Sequence, residues 1–225
     1  MQYKEIEYHS EEEWHSIRNK HIGGSDCATI MGYNEWKNPV DLWREKTGRK
    51  ASDDLSENQA IIRGKESENL LIEHFKINNP NYNVGKLEKT LESLKYPFMS
   101  ANLDGTLEHQ ELGKGVLEIK TATCFNSNQY YDVWIVKDEN GRYTIDDIPI
   151  NYWLQIQHYL AVTGWQYAIL YADIKLSFQN DRHILKKYIC HRNEEAIKEI
   201  IEKELEFNSY IINDIEPAYK RKMSI

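Results

Sequence analysis

The sequence predicts an α/β domain in which a mixed central β-sheet is flanked by helices. Residues 98–121 have the pattern of two short strands joined by a polar turn, with apolar side chains alternating along the second strand. Residues 150–163 have the apolar spacing of a helix, and residues 194–212 form a longer amphipathic one. Two further alternating stretches, 165–174 and 183–190, predict strands. This arrangement favours one sheet with helices packed on its faces.

The other elements are predicted from local signals. Residues 1–9 form an edge strand or a tail, and Ser10–Glu13 is a capping box that opens a helix. Residues 39–48 begin with proline and end with glycine, which is typical of a short helix. A longer helix is expected from about Glu57 to Phe75, and residues 84–94 predict a strand and a turn. The longer helix is expected to pack through Leu70, Leu71, Ile72 and Phe75.

Residues 125–150 predict a β-hairpin that departs from the core. The sequence Glu-Asn-Gly-Arg at 139–142 is a strong turn signal, and it follows a strand-like stretch at 131–136. No repeat, low-complexity segment or interdomain linker is visible. We therefore expect a single domain over 1–225, in which 194–225 supplies a C-terminal helix and a short basic tail.

Composition indicates a folded protein that does not enter a membrane. Hydrophobic residues make up 40% of the 225 residues and aromatic residues 12%, which argues against disorder. No apolar run approaches the length of a membrane span, and the first residues lack the apolar stretch of a signal peptide. Cys27, Cys124 and Cys190 form neither a CxxC pair nor a disulfide framework, so a cytoplasmic location is expected.

The net charge of −8 is not the global signature of a nucleic-acid-binding protein. It does not exclude one, because a local basic cleft or a bound divalent metal can reverse the potential where a nucleic acid lies. The charge does predict weak non-specific DNA binding without metal.

Residues 98–121 also contain the side chains most suited to chemistry. Glu118 and Lys120 are two residues apart on the second strand and therefore share one face, opposite Leu117 and Ile119. Together with Asp104, which is expected at the end of the first strand, Glu118 offers the hard oxygen donors that Mg²⁺ or Mn²⁺ prefers. A nearby lysine could orient a metal-bound water, help to deprotonate it, or offset negative charge. The alternative is an exposed Glu–Lys pair on an ordinary hairpin.

A possible phosphate site precedes this region. Two glycines, Ser25 and an aspartate lead from a loop into a short apolar stretch, and Arg18 lies just before them. The N–H groups of a helix start, a hydroxyl and a guanidinium together suit a phosphate. The alternative is a tight turn with a capping side chain. Glu68 lies on the predicted helix that ends near Phe75, where it is either a site residue or part of a solvated face.

A carboxylate cluster with one lysine beside a phosphate site is what metal-assisted phosphodiester hydrolysis needs. Tyr152, Gln155 and Tyr159 add a third feature, because their spacing places them on one helix face. Two metal ions can hold the attacking water and the scissile phosphate and relieve the charge on the leaving oxygen.

The ordered set of motifs resembles the YqaJ-type viral recombinases, the family of phage lambda exonuclease within the PD-(D/E)xK nuclease superfamily. The resemblance covers residues 14–175 approximately. A lone Glu-x-Lys is weak, whereas the ordered set is specific. The matching motifs are Ile22-Gly-Gly-Ser-Asp26 after an arginine, Pro39-x-x-Leu-Trp-x-x-Lys-x-Gly48, Gly64-x-x-x-Glu68, Leu103-Asp-Gly105, Leu117-Glu-Ile-Lys-Thr121 and Tyr152-x-x-Gln155-x-Gln157-x-Tyr159.

The resemblance implies a restriction-endonuclease-like core and a role for each matching residue. Asp104, Glu118 and the Ile119 carbonyl would bind Mg²⁺, and Glu68 would assist a second ion. Lys120 would act on the nucleophilic water. The remaining residues would serve the DNA and the site: Arg18 and Ser25 on the 5′-terminal phosphate, Asn102 on a phosphate, and Tyr152 and Gln155 lining the site. Leucine stands at position 103, where the superfamily usually has proline, but this changes no ligand.

The implied activity is Mg²⁺-dependent 5′→3′ digestion of one strand of linear double-stranded DNA in phage-type recombination. The implied partners are a single-strand annealing protein and, from the ring-shaped trimer of the family, two further copies of the chain. The setting would be the bacterial cytoplasm, with a phage or prophage origin. Two alternatives stay open. One is another nuclease of the superfamily, either a restriction-like enzyme or a CRISPR-associated iron–sulfur nuclease, and the scattered cysteines disfavour only the iron–sulfur type. The other is a non-catalytic DNA-binding or assembly protein.

Overall fold

The structure is a computed structural model that describes residues 2–51, 58–137 and 143–218. The strands are β1 (Tyr3–Ile6), β2 (Ile22–Gly23), β3 (Tyr82–Gly85), β4 (Thr90–Ser93), β5 (Met99–Ala101), β6 (Gly105–His109), β7 (Gly113–Cys124), β8 (Ile135–Lys137), β9 (Tyr143–Asp146), β10 (Tyr167–Leu176) and β11 (Arg182–His191). The helices are α1 (Glu11–Lys20), α2 (Gly24–Ile30), α3 (Pro39–Lys46), α4 (Gln59–Asn78), α5 (Ser127–Tyr131), α6 (Ile150–Thr163) and α7 (Glu194–Ile212), with a 3₁₀ turn at Ser177–Gln179.

The larger sheet has five strands in the order β11-β10-β7-β6-β3. Strands β7 and β10 are parallel, and the other neighbours are antiparallel. A parallel pair needs a crossover connection, and α6 lies within that connection. The predicted mixed sheet flanked by helices is therefore confirmed.

Hydrophobic clusters on both faces of this sheet hold the helices in place. On one face Leu117 and Ile119 of β7 pack with residues of α4. On the other face Val116 packs with Ile156 and Leu160 of α6. The second strand of the sequence motif is thus buried on both sides, which fixes its register.

The packing face of α4 differs from the prediction at one residue. Leu71, Ile72 and Phe75 are buried against the sheet, whereas Leu70 is 73% exposed. At 100° per residue, Leu70 lies almost opposite the centre of the other three. The expectation that Leu70 packs in the core was therefore wrong.

The stretch 98–121 is not the single hairpin that was predicted. Residues 99–101 form β5, which belongs to a second sheet of order β1-β4-β5-β2. The antiparallel hairpin consists of β6 and β7 alone. Asp104 lies between β5 and β6, at the point where the chain passes from one sheet to the other. It therefore precedes the first strand of the hairpin instead of ending it.

The excursion at 125–150 begins with a short helix, α5, which ends at Tyr131, the first residue of the strand expected at 131–136. Of that expected strand only 135–136 is extended, as part of β8. These residues pair with β9 as an antiparallel two-stranded sheet. The turn predicted at 139–142 and the basic tail from Lys220 lie outside the described residues. The assignment of 1–225 to a single domain stays a prediction.

Several helix ends follow the sequence signals. Ser10 caps α1 by accepting a hydrogen bond from the Glu13 N–H, while the Glu13 carboxylate accepts from His9 instead of completing the box on Ser10. Helix α6 ends at Gly164, and α7 has the predicted bounds.

Among the described parts of the chain, no helix is both long and apolar enough to cross a membrane.

Candidate active site

Asp104 occupies a gap in the strand ladder. The pairing of β6 with β7 ends at Gly105 and Leu117. Beyond that point, Asp104 Oδ2 accepts a hydrogen bond from the Ile119 N–H at 2.8 Å. Because the N–H and C=O groups of one strand residue point to the same edge, the Ile119 carbonyl also points toward this gap. The local fold thus directs a carboxylate and a backbone oxygen to one place.

Glu118 and Lys120 lie on the face of β7 toward α6. The Glu118 carboxylate is 1% exposed, and its Oε1 accepts hydrogen bonds from Lys120 Nζ at 2.5 Å and from Gln155 Nε2 at 2.7 Å. Its other oxygen, Oε2, is buried without a hydrogen-bond partner. A buried unpartnered carboxylate oxygen is costly, so this atom indicates a missing cation or donor. The alternative of an exposed surface pair does not fit these contacts.

One face of α6 completes this network. Gln155 Nε2 also donates to the Tyr159 hydroxyl at 2.9 Å. The Tyr152 ring lies with its centroid 5.3 Å from Lys120 Nζ, within the range of a cation–π contact. The predicted shared face of Tyr152, Gln155 and Tyr159 is therefore present, and it faces the carboxylate site.

Glu68 reaches the same site from α4. A Cβ atom on Gly64 would lie 3.3 Å from Thr121 Oγ1, so this glycine allows α4 to approach β7 closely. Glu68 follows one turn later on α4 and is half-buried. Burial and the nearby Asp104 carboxylate raise the pKa of Glu68, while Lys86 and Lys120 oppose the shift.

The site holds more negative charge than the protein alone neutralises. Burial raises the pKa of Asp104. The pKa of Glu118 is raised to about 8, mainly by burial and to a smaller extent by the Asp104 carboxylate, while Lys120 opposes the increase. Burial would lower the pKa of Lys120, but Glu118 and Asp104 outweigh it, so its pKa is raised. Lys120 is therefore an ammonium group, which favours orientation of a water or compensation of charge over deprotonation of the water.

These residues fit a hard divalent cation. The donor set consists of carboxylate oxygens and a backbone carbonyl, as Mg²⁺ and Mn²⁺ prefer. A bound cation would give the unpartnered Glu118 Oε2 a positively charged partner. The pKa values of Glu68, Asp104 and Glu118 are raised, and another positive charge would stabilise their ionised forms.

The predicted phosphate residues also meet. Arg18 Nη2 donates to Ser25 Oγ at 2.9 Å, and the Arg18 guanidinium lies 5.2 Å from the centroid of the Trp14 ring. Helix α2 has only seven residues, so the two side chains are a better basis for phosphate binding than its dipole. Asn102 Oδ1 accepts from Trp14 Nε1 at 3.1 Å and from Thr90 Oγ1 at 2.7 Å. A phosphate contact by Asn102 would therefore have to come from its amide nitrogen.

Asp26 and Lys46 were not predicted as site residues. Lys46 Nζ lies 2.8 Å from Asp26 Oδ2, and it donates to the carbonyls of Arg18 at 3.1 Å and His21 at 2.6 Å. Burial alone would raise the pKa of Asp26. The positive charges of Lys46 and, to a smaller extent, Arg18 outweigh burial, so the pKa of Asp26 is lowered. This ion pair fixes the segment that carries Arg18 and Ser25. Both residues belong to quoted motifs, but sequence spacing does not show that they pair.

A second polar cluster is separate from the carboxylate site. Among the residues that the structure describes, Cys27, His158 and Glu204 form a group of three potential metal ligands. Their ligand atoms all lie within 4.8 Å of one another. Both ring nitrogens of His158 are hydrogen-bonded, to Glu204 Oε1 at 2.8 Å and to the Ser100 carbonyl at 2.9 Å. Burial would lower the pKa of His158, but Glu204 outweighs it, so its pKa is raised. We therefore interpret the cluster as a buried imidazolium–carboxylate pair.

All three cysteines, Cys27, Cys124 and Cys190, are buried and free. The expected lack of a disulfide framework is confirmed for these residues.

A comparison with protein families identifies the chain. The model of the YqaJ-like viral recombinase domain matches residues 13–166, which include every site residue described above. The chain belongs to this family. A curated relative, the uncharacterized protein YqaJ of Bacillus subtilis (strain 168), is 30% identical over 210 residues, which cover 93% of this chain. The chain spans only 59% of the length of that relative.

Solved structures show how this YqaJ-like chain folds. An alkaline exonuclease, LHK-Exo, from Laribacter hongkongensis matches with a TM-score of 0.62 and 19% identity, covering 91% of this chain and 94% of its own. The same enzyme has also been solved in complex with dAMP. A phage-related exonuclease from Haemophilus somnus 129PT matches with a TM-score of 0.56 and 14% identity, covering 86% and 94%. The restriction-endonuclease-like fold of these exonucleases is thus the fold of this chain.

Proposed function

We propose that the chain is a metal-dependent exodeoxyribonuclease that digests one strand of linear double-stranded DNA in the 5′→3′ direction. The observation that carries this proposal is the buried Glu118 carboxylate, which holds Lys120 with one oxygen and leaves the other without a partner. Membership of the YqaJ-like viral recombinase family and the fold shared with two exonucleases support it.

Each residue of the site has a role in this reaction. Asp104, Glu118 and the Ile119 carbonyl would hold Mg²⁺ or Mn²⁺, and Glu68 would contribute to a second ion. When bound, the metal ions supply Lewis-acid charge at the scissile phosphate and lower the pKa of a bound water. Lys120, 2.5 Å from the Glu118 carboxylate, would orient the attacking water through its ammonium hydrogens. Gln155 holds the Glu118 carboxylate in place through the 2.7 Å hydrogen bond.

The end of the DNA strand would be recognised by Arg18 and Ser25. A guanidinium and a hydroxyl that already contact each other can share the oxygens of one terminal phosphate. Tyr152, beside Lys120, would line the path of the strand, and Asn102 would contact a phosphate through its amide nitrogen. Recognition of a terminal phosphate explains why such an enzyme would start from a DNA end.

The direct test is digestion of linear 5′-phosphorylated duplex DNA with Mg²⁺, compared with a closed circle of the same sequence. We expect stepwise loss of one strand from the linear duplex, a residual 3′ overhang, and no cutting of the circle. EDTA should stop the reaction. Absence of digestion would refute nuclease activity, and cutting of the circle would instead favour a restriction-like endonuclease.

Replacing Arg18 with alanine should remove the preference for phosphorylated ends. The Arg18 guanidinium supplies positive charge beside the Ser25 hydroxyl, so the rate on 5′-phosphorylated duplex should fall at least about tenfold, which corresponds to the loss of one charge-assisted hydrogen bond. The rate on 5′-hydroxyl duplex should change little. Lys20→Ala, at an exposed position of the same helix, is the matched control. A wild-type enzyme that digests both ends equally would contradict the role of Arg18.

Metal affinity should increase with pH up to about 8. The pKa of Glu118 is raised to about 8, so below that pH a proton competes with the metal for this carboxylate. If one proton is displaced, affinity should rise about tenfold per pH unit below the pKa and level off above it. Titration calorimetry with Mn²⁺ at pH 6 to 9, without DNA, measures this. An affinity that is constant over this range would contradict the assignment of Glu118 as a ligand.

Further partners follow from the family resemblance and are proposals of the same kind. We propose that the chain acts with a single-strand annealing protein in the cytoplasm of a bacterial host and that it can form a trimer. Gel filtration with light scattering tests the trimer, since a trimer would have three times the mass of the 26.6 kDa chain.

A further inference from the structure

We infer that the contact between Gly24 and Tyr159 sets the distance between the 5′-phosphate anchor and the catalytic carboxylates, and so determines where the first cut falls. This inference rests on the proposed function, because it assigns a task to two residues that lie between its two parts. It concerns positioning, since neither residue is required to touch the DNA.

The two residues are as close as glycine permits. A Cβ atom on Gly24 would lie 2.5 Å from Cε1, 2.9 Å from Cζ and 3.0 Å from Cδ1 of the Tyr159 ring. Contacts this short do not occur between a real Cβ and a ring carbon, so any larger residue must force the two apart. The ring is 5% exposed and packed in the hydrophobic cluster beside the sheet, which prevents it from turning away.

Each partner of this contact leads directly to one part of the site. Gly24 precedes Ser25, whose hydroxyl accepts the hydrogen bond from Arg18. The Tyr159 hydroxyl accepts a hydrogen bond from Gln155 Nε2, which also donates to Glu118 Oε1. The ring contact therefore packs α2, which carries Ser25, against α6, which carries Gln155 and its hydrogen bond to Glu118.

The Tyr159 hydroxyl interacts electrostatically with residues of both parts. Burial raises the pKa of Tyr159 well above its usual value, and the Glu118 and Asp104 carboxylates add to this increase. The Gln155 hydrogen bond and the Arg18 guanidinium oppose it. Tyr159 thus interacts both with the carboxylates that would hold metal and with the arginine that would hold phosphate.

The anchor side cannot easily absorb a displacement. Lys46 Nζ contacts the Asp26 carboxylate and donates hydrogen bonds to the Arg18 and His21 carbonyls. Asp26 Oδ2 also accepts from the Gly23 N–H at 3.0 Å. Because this segment is held at several points, a methyl group on Gly24 must move α2 away from α6 or displace the Tyr159 ring. Either change alters the distance from Ser25 to Glu118.

That distance has a chemical meaning for an enzyme that holds a strand by its terminal phosphate. With the terminal phosphate fixed, the phosphodiester that reaches the carboxylates is selected by spacing alone. The contact between Gly24 and Tyr159 thus acts as a spacer between the anchor and the carboxylates. A rigid spacer gives one length of first product, whereas a disturbed spacer gives a weaker preference for phosphorylated ends and a mixture of first products.

The test compares Gly24→Ala with Gly23→Ala on duplexes labelled near the 5′ end, with either a phosphate or a hydroxyl at that end. For Gly24→Ala we expect at least a tenfold loss in the ratio of rates on the two ends, and more than one length of first product. Gly23→Ala is the matched control, because its Cβ would meet nothing nearer than Asp26 Oδ2 at 3.9 Å. It should keep the wild-type ratio and product.

Two substitutions of Tyr159 test the same contact from the other side. Tyr159→Phe keeps the ring against Gly24 and removes only the hydroxyl, so it should slow both substrates by the same factor and leave their ratio and the product unchanged. Tyr159→Leu removes the ring atoms that face Gly24 and should lower the ratio as Gly24→Ala does. This pair remains informative if Gly24→Ala does not fold.

The outcomes separate the inference from the proposed function. If the wild type prefers phosphorylated ends and Gly24→Ala or Tyr159→Leu, once folded, keeps both ratio and product length, the spacer role is refuted and the nuclease stands. If the wild type shows no digestion, the proposed nuclease function is refuted; if it digests both ends equally, the phosphate anchor and with it the spacer are refuted. A loss of ratio in Tyr159→Phe equal to that in Tyr159→Leu would also refute the spacer, because it would assign the effect to the hydroxyl.

Discussion

Replacing Glu118 with glutamine is expected to reduce DNA hydrolysis by about a thousandfold or more. Glutamine has the shape of glutamate and can still accept hydrogen bonds from Lys120 and Gln155. It cannot supply the charged oxygen that Glu118 Oε2 offers to a metal ion. Loss of about 4 kcal/mol of metal-derived stabilisation of the transition state corresponds to roughly three orders of magnitude in rate. The measurement is kcat/KM on 5′-phosphorylated linear duplex with Mg²⁺.

The same substitution should not harm the fold. Without metal, Glu118 is a buried acid with a pKa of about 8, so its ionised form is disfavoured by burial. Glu118→Gln should therefore unfold at the same denaturant concentration as the wild type or at a higher one. Glu108→Gln, at an exposed position on neighbouring β6, is the matched control and should leave both activity and stability unchanged. A Glu118→Gln variant with more than a tenth of wild-type activity would refute the metal-ligand role.

Replacing Glu204 with alanine is expected to lower the free energy of unfolding by about 3–5 kcal/mol, the usual cost of leaving one member of a buried ion pair without its partner. Glu204 and His158 are both 0% exposed and connect α7 to α6, and His158 also reaches β5 through the Ser100 carbonyl. For a chain of this size the melting temperature should fall by roughly 10 °C. Urea denaturation at pH 6 measures the loss directly.

The pH dependence of this variant gives a second readout. The pKa of His158 is raised in the folded state, so its contribution to stability is complete below the unfolded value of about 6.5 and is lost as pH rises through the folded value. In Glu204→Ala that dependence should reverse, because burial then outweighs the remaining contacts and lowers the pKa of His158, so that stability rises with pH. Glu199→Ala, exposed on the same helix, should stay within about 0.5 kcal/mol of the wild type. Equal stability of Glu204→Ala and Glu199→Ala would contradict a buried ion pair.

Much of the candidate site could be predicted because it depends on short-range periodicity. The two-residue spacing on β7 placed Glu118 and Lys120 on one face, and the helical spacing placed Gln155 beside Tyr159. These rules need only the local element, and both elements have the predicted type. Spacing does not assign the residues to metal, water or phosphate. Those roles come from the family resemblance, which the order of the motifs along the chain indicates.

The rest depends on contacts between residues far apart in the sequence. The passage of the chain from one sheet to the other at Asp104 is decided by which strands pair, and strand pairing is not a property of the local sequence. The pairs Asp26–Lys46 and His158–Glu204 join different helices, so no periodicity shows them. Leu70 is as hydrophobic as its buried neighbours on α4, but its position around the helix places it in solvent.

The position of Asp104 has a consequence for the design of inactive variants. Its carboxylate also takes the place of a missing strand, because it accepts the hydrogen bond that the Ile119 N–H would otherwise give to a continued β6. Truncation to alanine would therefore remove a ligand and open the sheet edge together, and lost activity could not be attributed to either. Asparagine retains an acceptor oxygen at the same distance from the backbone. Only that substitution separates the chemistry of this residue from its part in the architecture.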